Sequence, residues 1–270
     1  MKVSELFDEL KAMAPGYAPE STADCLIAGD GEREVKRAAV TMFATPAVIR
    51  ECRERGVDLL VVHEPVYYGL ANGQETTAIG REKKKLIEES GMAVLRFHDY
   101  AHAADPDLIS RGMFRYMGLP GEQILDGHHG GEDAIILDQP MTAPELAALL
   151  EEKLDIEHVR IAGSIDQATR RVVCCFGARG EISKKFEEYD FILTGEVHEW
   201  SLSEIARDYA QMGYPKALLV LGHIESERAG MRYLADLLKD RHPDIEIFSL
   251  ESGSVYSYTD LPRIGRGKKA

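Results

Sequence analysis

Short apolar runs alternate with amphipathic segments through the first part of the chain. The run Val57–Val62 consists almost entirely of valine and leucine, which is typical of a strand buried on both faces. Ala38–Met42 and Met92–Phe97 are further apolar runs of strand length. Helical spacing predicts helices between and after these strands, over Pro46–Arg55, Thr77–Ser90 and Pro106–Met117.

The same alternation returns towards the C-terminus. Apolar runs predict strands at Arg171–Phe176, Phe191–Leu193, Ala217–Leu221 and Ile245–Leu250. Helices are predicted between them, over Ile182–Tyr189, Leu202–Gln211 and Glu225–Leu238. Strands that alternate with helices in this way predict an α/β fold with parallel-rich sheets.

A weaker strand–helix–strand unit lies between these two blocks, at Ala134–Leu137, Ala143–Leu154 and Glu157–Ile161. We therefore expect residues 1–125 and 165–270 to form two interlocked α/β lobes. Residues 126–164 are expected to form a smaller intervening segment.

Composition and charge narrow the class of protein. The chain has 270 residues, 44% hydrophobic and 29% charged, as in ordinary globular proteins. Its formal net charge of -14 disfavours binding to nucleic acid or an anionic membrane. The basic tail Arg263–Lys269 is a local exception, which we interpret as a frayed terminus.

The sequence also bears on location. No apolar run approaches the ~20 residues that span a bilayer, and Met1–Leu10 contains acidic residues, unlike a signal peptide. These features predict a cytoplasmic protein.

Imidazole and carboxylate side chains follow four predicted strands at the point where each strand ends. Open α/β sheets place their functional sites at this carboxyl edge. If the four segments converge, so many acids and imidazoles require a cation to offset their burial and mutual repulsion. The segments are His63-Glu64-Pro65, His98-Asp99-Tyr100-Ala101-His102, Thr194-Gly195-Glu196-Val197-His198-Glu199 and Gly222-His223-Ile224-Glu225-Ser226-Glu227.

Imidazole and carboxylate ligands without a nearby thiolate suit zinc, iron, manganese, nickel or cobalt. His223 and Glu227 are four residues apart at the start of a predicted helix, which would put both on one face. The alternative is a solvated pair on the first helical turn. A single histidine after a strand is more often a structural residue, so the prediction depends on the coincidence of several strand ends.

The order and spacing of these four segments resemble the Nif-three-like family, also called GTP cyclohydrolase 1 type 2 homologues. The resemblance extends over nearly the whole chain, and Gly222-His223-Ile224-Glu225-Ser226-Glu227 is its most specific piece. It implies a Nif-three-like α/β fold, in which two related lobes enclose a dinuclear metal site. It also implies assembly into a homohexamer.

The resemblance implies five metal ligands, namely His63, Glu64, His102, His223 and Glu227. Glu64 stands where the family has a second histidine, and His102 where it has an aspartate. The set remains three imidazoles and two carboxylates, so we expect two divalent ions per chain. Because a bridging role suits a carboxylate, we expect Glu64 or Glu227 to bridge the ions and His102 to be a terminal ligand.

The resemblance further implies a metal-dependent hydrolase that acts on a nucleotide or another phosphate or amide-like substrate. Glu196, His98 and His198 are candidates to move protons beside the metals. Arg179 lies in a glycine-containing turn that either holds an anion or is only a tight turn. Trp200 is predicted either to line the pocket or to lie in the core.

Two alternatives stay open. The protein could bind or deliver metal ions through protein partners without catalysis, or it could be a ring-shaped scaffold with structural metals. The sequence contains no P-loop, strong dinucleotide fingerprint or nucleophile elbow, so kinase or dehydrogenase activity is not expected.

Overall fold

The computed structural model describes residues 1–68, 77–127 and 132–258. The basic tail Arg263–Lys269 lies outside these ranges. The α-helices within them are Val3–Lys11 (α1), Pro46–Arg55 (α2), Ala78–Ser90 (α3), Asp99–Ala103 (α4), Leu108–Met117 (α5), Ala143–Leu154 (α6), Glu204–Gln211 (α7) and Arg228–Arg241 (α8).

The strands are arranged in two mixed sheets, which confirms the predicted α/β class. They are Cys25–Ala28 (β1), Arg37–Thr41 (β2), Leu59–Val62 (β3), Ala93–Arg96 (β4), Gly121–Leu125 (β5), Asp133–Met141 (β6), Arg160–Gly163 (β7), Thr169–Ala178 (β8), Phe191–Glu196 (β9), Ala217–Val220 (β10) and Glu246–Ser249 (β11).

The first sheet has five strands in the order β1-β4-β3-β2-β11. Its four strands from β4 to β11 are parallel, and β1 is antiparallel to β4. The second sheet has six strands in the order β5-β6-β8-β9-β10-β7. Here β8, β9 and β10 are parallel, while β5, β6 and β7 pair antiparallel with their neighbours. Residues 126–164, the predicted intervening segment, contain β6, α6 and β7, and both of these strands belong to the second sheet.

Alternating side chains of β3 explain why the sequence shows a continuous apolar run there. Leu59 and Val61 face a core that includes α1, α5 and α8, whereas Leu60 and Val62 face a second core formed with α2 and α3. Both faces are therefore covered by helices, and all of these side chains are buried. Such strands lose the alternating polar pattern of a half-exposed sheet.

Helices α5 and α8 pack against each other and join the cores of the two sheets. A Cβ atom on Gly112 of α5 would lie 2.5 Å from the Cα atom of Gly230 in α8. Glycine at both positions therefore allows the two backbones to approach closely. Both helices begin near the ends of the strands that carry the predicted ligands.

Three helices near the site differ from their predictions. Residues 183–187 form a short 3-10 helix, and a π-helical turn at residues 199–203 precedes α7. Residues 223–227 form turns, so that α8 begins only at Arg228. The physical reason for the last difference is local: Gly222 has a φ of +108°, and the Ser226 hydroxyl donates to the carbonyl of His223 at 2.9 Å.

None of the helices in the described ranges is long and apolar enough to cross a lipid bilayer.

Candidate metal centre

The site lies where the carboxyl ends of the two sheets meet. In the first sheet, β3 ends at Val62 and β4 at Arg96, next to the segments that carry His63 and His98. In the second sheet, β9 ends at Glu196 and β10 ends shortly before the 222–227 turn. Parallel strands bring their carboxyl ends to one edge, so each sheet contributes one half of the site.

His63 is fully buried, and its two ring nitrogens have different surroundings. Nδ1 lies 3.1 Å from the carbonyl oxygen of Phe97, which can only accept, so Nδ1 carries the proton. Nε2 faces Oε2 of Glu227 at 3.6 Å. Burial, together with the neighbouring imidazole of His102, holds the pKa of His63 well below its usual range. A neutral imidazole therefore presents a lone pair to a carboxylate.

Glu227 precedes the first turn of α8 and is only 3% exposed. Its Oε2 lies 3.2 Å from Nε2 of His223, and its Oε1 lies 3.9 Å from Nε2 of His102. Burial raises the pKa of Glu227, but the nearby imidazoles of His223 and His102 bring it below its usual value. Three Nε2 atoms thus surround one ionised carboxylate, with His63 as the third.

The Nδ1 atoms of the same histidines each face an acceptor on the outer side. For His102 it is Oδ2 of Asp107 at 2.8 Å, and for His223 it is Oε1 of Glu196 at 3.3 Å. For His63 it is the backbone carbonyl described above. Metal-binding histidines in proteins commonly donate their other N–H to a carboxylate or carbonyl in this way, because the bond fixes the tautomer and the ring orientation.

Glu64 completes the inner set from the first sheet. Its Oε1 lies 2.7 Å from Nε2 of His223, and the residue is 7% exposed. Burial raises the pKa of Glu64, but the hydrogen bond from His223 lowers it below its usual value. Burial lowers the pKa of His223, but Glu227 and Glu64 raise it to about 11.

His98 was predicted to move protons beside the metals, but its ring lies directly against two of the predicted ligands, His63 and His102. Its ring stacks on that of His63, with centroids 4.5 Å apart and planes inclined by 27°. Its Nδ1 lies 2.9 Å from Oδ1 of Asp99. The ring of His102 is 4.9 Å away, so three imidazoles from the first sheet lie side by side.

Among the residues that the structure describes, two sets of ligand atoms lie close enough together to hold a metal ion. One comprises His63, His98 and His102, and the other comprises His63, Glu64 and Glu227. The atoms of each set lie within 4.8 Å of one another. The donors suit a divalent cation chemically, because imidazoles and carboxylates are combined without thiolates. The buried Nε2 of His63 and Oε2 of Glu227 support this fit, since neither atom has a hydrogen-bond partner within residues 1–68, 77–127 and 132–258.

The structure thus brings the five sequence-predicted ligands together, with His98 beside them. Glu196 contacts Nδ1 of His223, on the side of the ring that faces away from Glu227, and its side chain is 56% exposed. His198 is exposed and belongs to neither ligand set; its ring stacks on that of Trp200. Trp200 is 78% exposed, so the prediction of a core position for it is wrong.

Sequence reasoning missed the carboxylates that hold the first-sheet histidines in place. Asp107 accepts from the backbone N–H of Ser110 as well as contacting His102, so it also caps α5. Asp24 is buried, and it accepts from the backbone N–H groups of Asp99 and Tyr100 at 3.0 and 2.8 Å. An aspartate before a helix was a readable signal for Asp107. Asp24 acts on a helix distant in sequence, and no local pattern indicates it.

Glycine near the end of β8 makes room for Glu227. Gly177 has a φ of +70°, and a Cβ atom there would lie 2.0 Å from Oε1 of Glu227. Its N–H donates to the hydroxyl of Ser226 at 2.9 Å, which ties the end of β8 to the turn before α8.

Two cavities adjoin the centre. One has a volume of about 310 Å³ and is lined by His102, Asp107 and Arg179, among others. The other has a volume of about 500 Å³ and is lined by Arg179, Glu196, His198 and Trp200, among others. Arg179 lines both, and its Nε donates to the carbonyl of Phe176 at 3.1 Å.

The fold and the centre define a class of α/β protein with a buried histidine–carboxylate cluster between two mixed sheets. The sequence model of the Duf34/NIF3 (NGG1p interacting factor 3) family matches residues 1–253, and the chain belongs to this family.

Related proteins agree with this assignment. A GTP cyclohydrolase 1 type 2 homolog from Clostridium perfringens is 23% identical, and the alignment covers 96% of this chain and 100% of the relative. A protein of the same name from Streptomyces coelicolor is 29% identical, with 89% and 88% covered.

Solved structures show the same fold. A crystal structure of a Staphylococcus aureus protein has a TM-score of 0.73 at 18% identity and covers 96% of this chain and 99% of its own. A Bacillus cereus protein related to NIF3 has a TM-score of 0.73 at 14% identity, with the same coverage.

Proposed function

We propose that the protein is a metal-dependent hydrolase with two divalent ions per chain. The observation that carries the proposal is the approach of two buried acceptors, Nε2 of His63 and Oε2 of Glu227, at 3.6 Å. Two acceptors with no proton between them repel one another, and a divalent cation close to both atoms would offset this repulsion. The ligands would be His63, Glu64, His102, His223 and Glu227, and His98 could complete the set that it forms with His63 and His102.

Bound divalent ions supply Lewis acidity and lower the pKa of a water molecule towards neutrality. Glu64 or Glu227 would be the carboxylate shared by the two ions, and the position of the two Glu227 oxygens, which face histidines on different sides, supports Glu227. His102 would be a terminal ligand whose tautomer is fixed by Asp107.

Proton transfer is assigned to groups beside the ligands. Glu196 lies 3.3 Å from Nδ1 of His223 and borders the larger cavity, so its carboxylate can hold a proton where a substrate enters. His198 borders the same cavity. His98 can take part only if it is not itself a ligand.

The proposed substrate is a nucleotide or another molecule with a phosphate or amide-like bond. The names of the relatives support a nucleotide, since they are called GTP cyclohydrolase 1 type 2 homologs. Arg179 supports an anionic substrate, because it lines both cavities that adjoin the centre.

Elemental analysis tests this proposal, with His63→Ala and Glu227→Ala as the variants and His158→Ala, an exposed histidine, as the matched control. We expect about two metal equivalents in the wild type and in the control, and a loss in both site variants. Zinc, iron, manganese, nickel and cobalt are then compared in hydrolysis assays with nucleotides and phosphoesters. Absence of bound metal after supplementation would contradict the whole proposal.

Metal binding without turnover of any of these substrates would instead favour the alternative, a metal-binding, metal-delivering or scaffold protein. Assembly into a homohexamer is also proposed from the family resemblance. Sedimentation of the purified full chain measures its mass directly.

A further inference from the structure

The larger cavity beside the centre has the properties of a binding site in its own right. Its volume of about 500 Å³ is within the range of small-molecule pockets. The end of β8 and the following residues up to Ile182 form one wall. Residues 196–198 and 200–202, the latter within the π-helical turn, form the other.

Two charged residues connect this cavity to the proposed metal ligands. Glu196 lines the cavity and lies 3.3 Å from His223. Arg179 lines this cavity and also the smaller one, which His102 borders. A molecule in the cavity could therefore contact Arg179 and reach the metal centre past Glu196.

The outer wall carries an aromatic surface. Trp200 is the only tryptophan of the chain and is 78% exposed, although a large apolar ring is normally buried. The ring of His198 stacks on it, with centroids 5.5 Å apart and planes inclined by 22°. Ile182, Val197 and Leu202 add apolar surface to the same cavity. Such a surface matches the face of a planar ring, because stacking needs no particular arrangement of polar groups.

We infer that this cavity is a subsite for a planar aromatic ring with an anionic substituent, in which the ring stacks on Trp200 and the anion pairs with Arg179. The inference rests on the proposed hydrolytic function, since the subsite would hold the substrate of that reaction against the metal centre. The charge of Arg179 would also orient the bound molecule. The guanidinium would bind the anionic group, and the ring would then lie on the aromatic wall.

Fluorescence of Trp200 tests the inference directly, since no other tryptophan contributes. The metal-loaded full chain is titrated with guanosine 5′-monophosphate, which has both a ring and an anion. Ribose 5-phosphate serves as the probe without the ring, and guanosine as the probe without the anion. We expect saturable quenching by the nucleotide, no quenching by ribose 5-phosphate, and weaker binding of guanosine.

Calorimetry with variants supplies the second readout. Trp200→Ala and Arg179→Met should each weaken binding of the nucleotide by about tenfold, whereas Trp200→Phe, which keeps an aromatic face, should weaken it by less. Tyr214→Ala is the matched control, because Tyr214 is an exposed aromatic residue outside the cavity lining. Unchanged affinity in Trp200→Ala overturns the inference. The inference is also overturned if Trp200→Ala changes the mass of the native assembly but not the affinity for the nucleotide, because Trp200 would then be a subunit contact.

The same titration of the Glu227→Ala variant separates the two proposals. Quenching that persists in a protein without metal supports the subsite even if the hydrolase proposal fails. Two bound metal equivalents with no quenching in the wild type overturn the subsite and leave the metal centre intact.

Discussion

Nε2 of His63 lies 3.6 Å from Oε2 of Glu227, and neither atom has a hydrogen-bond partner within the part of the chain that the structure describes. His63 follows β3 of the first sheet, whereas Glu227 follows β10 of the second sheet and precedes α8, so this contact forms only when both halves of the fold are assembled. Because a buried acceptor pair without a proton or cation is unfavourable, the contact gives a physical reason to expect metal binding.

Metal should therefore stabilise the folded protein. At a free zinc concentration of 100 times the dissociation constant, the gain is about 2.7 kcal/mol. For a chain of this size, that corresponds to a rise in Tm of roughly 5–10 °C. Thermal unfolding of the chelator-treated protein, with and without zinc, measures the shift.

The Glu227→Gln variant is the control for this stabilisation, since it keeps the shape of the side chain and removes its charge. We expect zinc to leave the Tm of the variant almost unchanged. An equal rise in both proteins would show that Glu227 is not a ligand.

Asp107→Asn should weaken metal binding without abolishing it. The amide can present an N–H to Nδ1 of His102, which favours the wrong tautomer and turns the ring out of position. Loss of such an outer carboxylate typically costs about 10–100-fold in affinity. Competition with a chromogenic chelator measures the affinity, and unchanged affinity would rule out His102 as a ligand.

Gly177→Ala should disturb the centre although the new side chain is only a methyl group. Its Cβ atom would lie 2.0 Å from Oε1 of Glu227, on a backbone with a φ of +70°. The carboxylate must then move, and we expect bound metal to fall well below that of the wild type. Gly180→Ala, three residues further along and just after β8, is the matched control, because a Cβ atom there meets nothing within 4 Å. Equal metal content in the two variants would contradict the prediction.

Asp24→Ala tests whether α4 is held in place from a distance. Asp24 accepts from the backbone N–H groups of Asp99 and Tyr100, so the substitution leaves these partly buried donors without their acceptor. We expect a loss of about 1–3 kcal/mol in the free energy of unfolding, measured in urea, together with weaker metal binding. A stability loss with unchanged metal affinity would separate this aspartate from the centre.

Asp58 gives a pH dependence far from the metal ligands. Burial raises the pKa of Asp58, but the hydrogen bonds from Arg33 and from the backbone N–H groups of Lys36 and Arg37 lower it below its usual value. A lowered folded-state pKa stabilises the protein above the unfolded value near 3.9, and this contribution is lost as the pH falls through the folded value.

Asp58→Asn should therefore be about 1 kcal/mol less stable than the wild type at pH 7, with a difference that shrinks below about pH 4. Urea unfolding across this pH range measures the difference. Asp166→Asn, at an exposed position, is the control and should show no such trend. A difference that does not change with pH would assign the effect to packing.

Much of the fold was predictable because local pattern determines it. Thr77 and Gly91 flank α3 as its N-cap and C-cap, and the predicted helix over Pro46–Arg55 has those bounds in the structure. The predicted start of the last helix at Glu225 was wrong for a local reason, since the glycine and serine around it favour a turn; the helix itself begins at Arg228. Here the amphipathic pattern continues through the turn, and periodicity alone could not show where the helix starts.

The sequence by itself determined which residues follow each buried strand, and hence that His63, His98, Glu196 and His223 lie at the carboxyl ends of parallel strands. Only the tertiary structure decided which atoms meet. The imidazoles of His63 and His223 are oriented by partners remote in sequence, namely Phe97 and Glu196. The packing of α5 on α8 then sets the distance between the two sheets, and with it the approach of Glu227 to the first-sheet histidines. The periodicity of a sequence indicates on which face of a strand or helix a side chain lies. The distances between side chains of different elements arise only when those elements pack together.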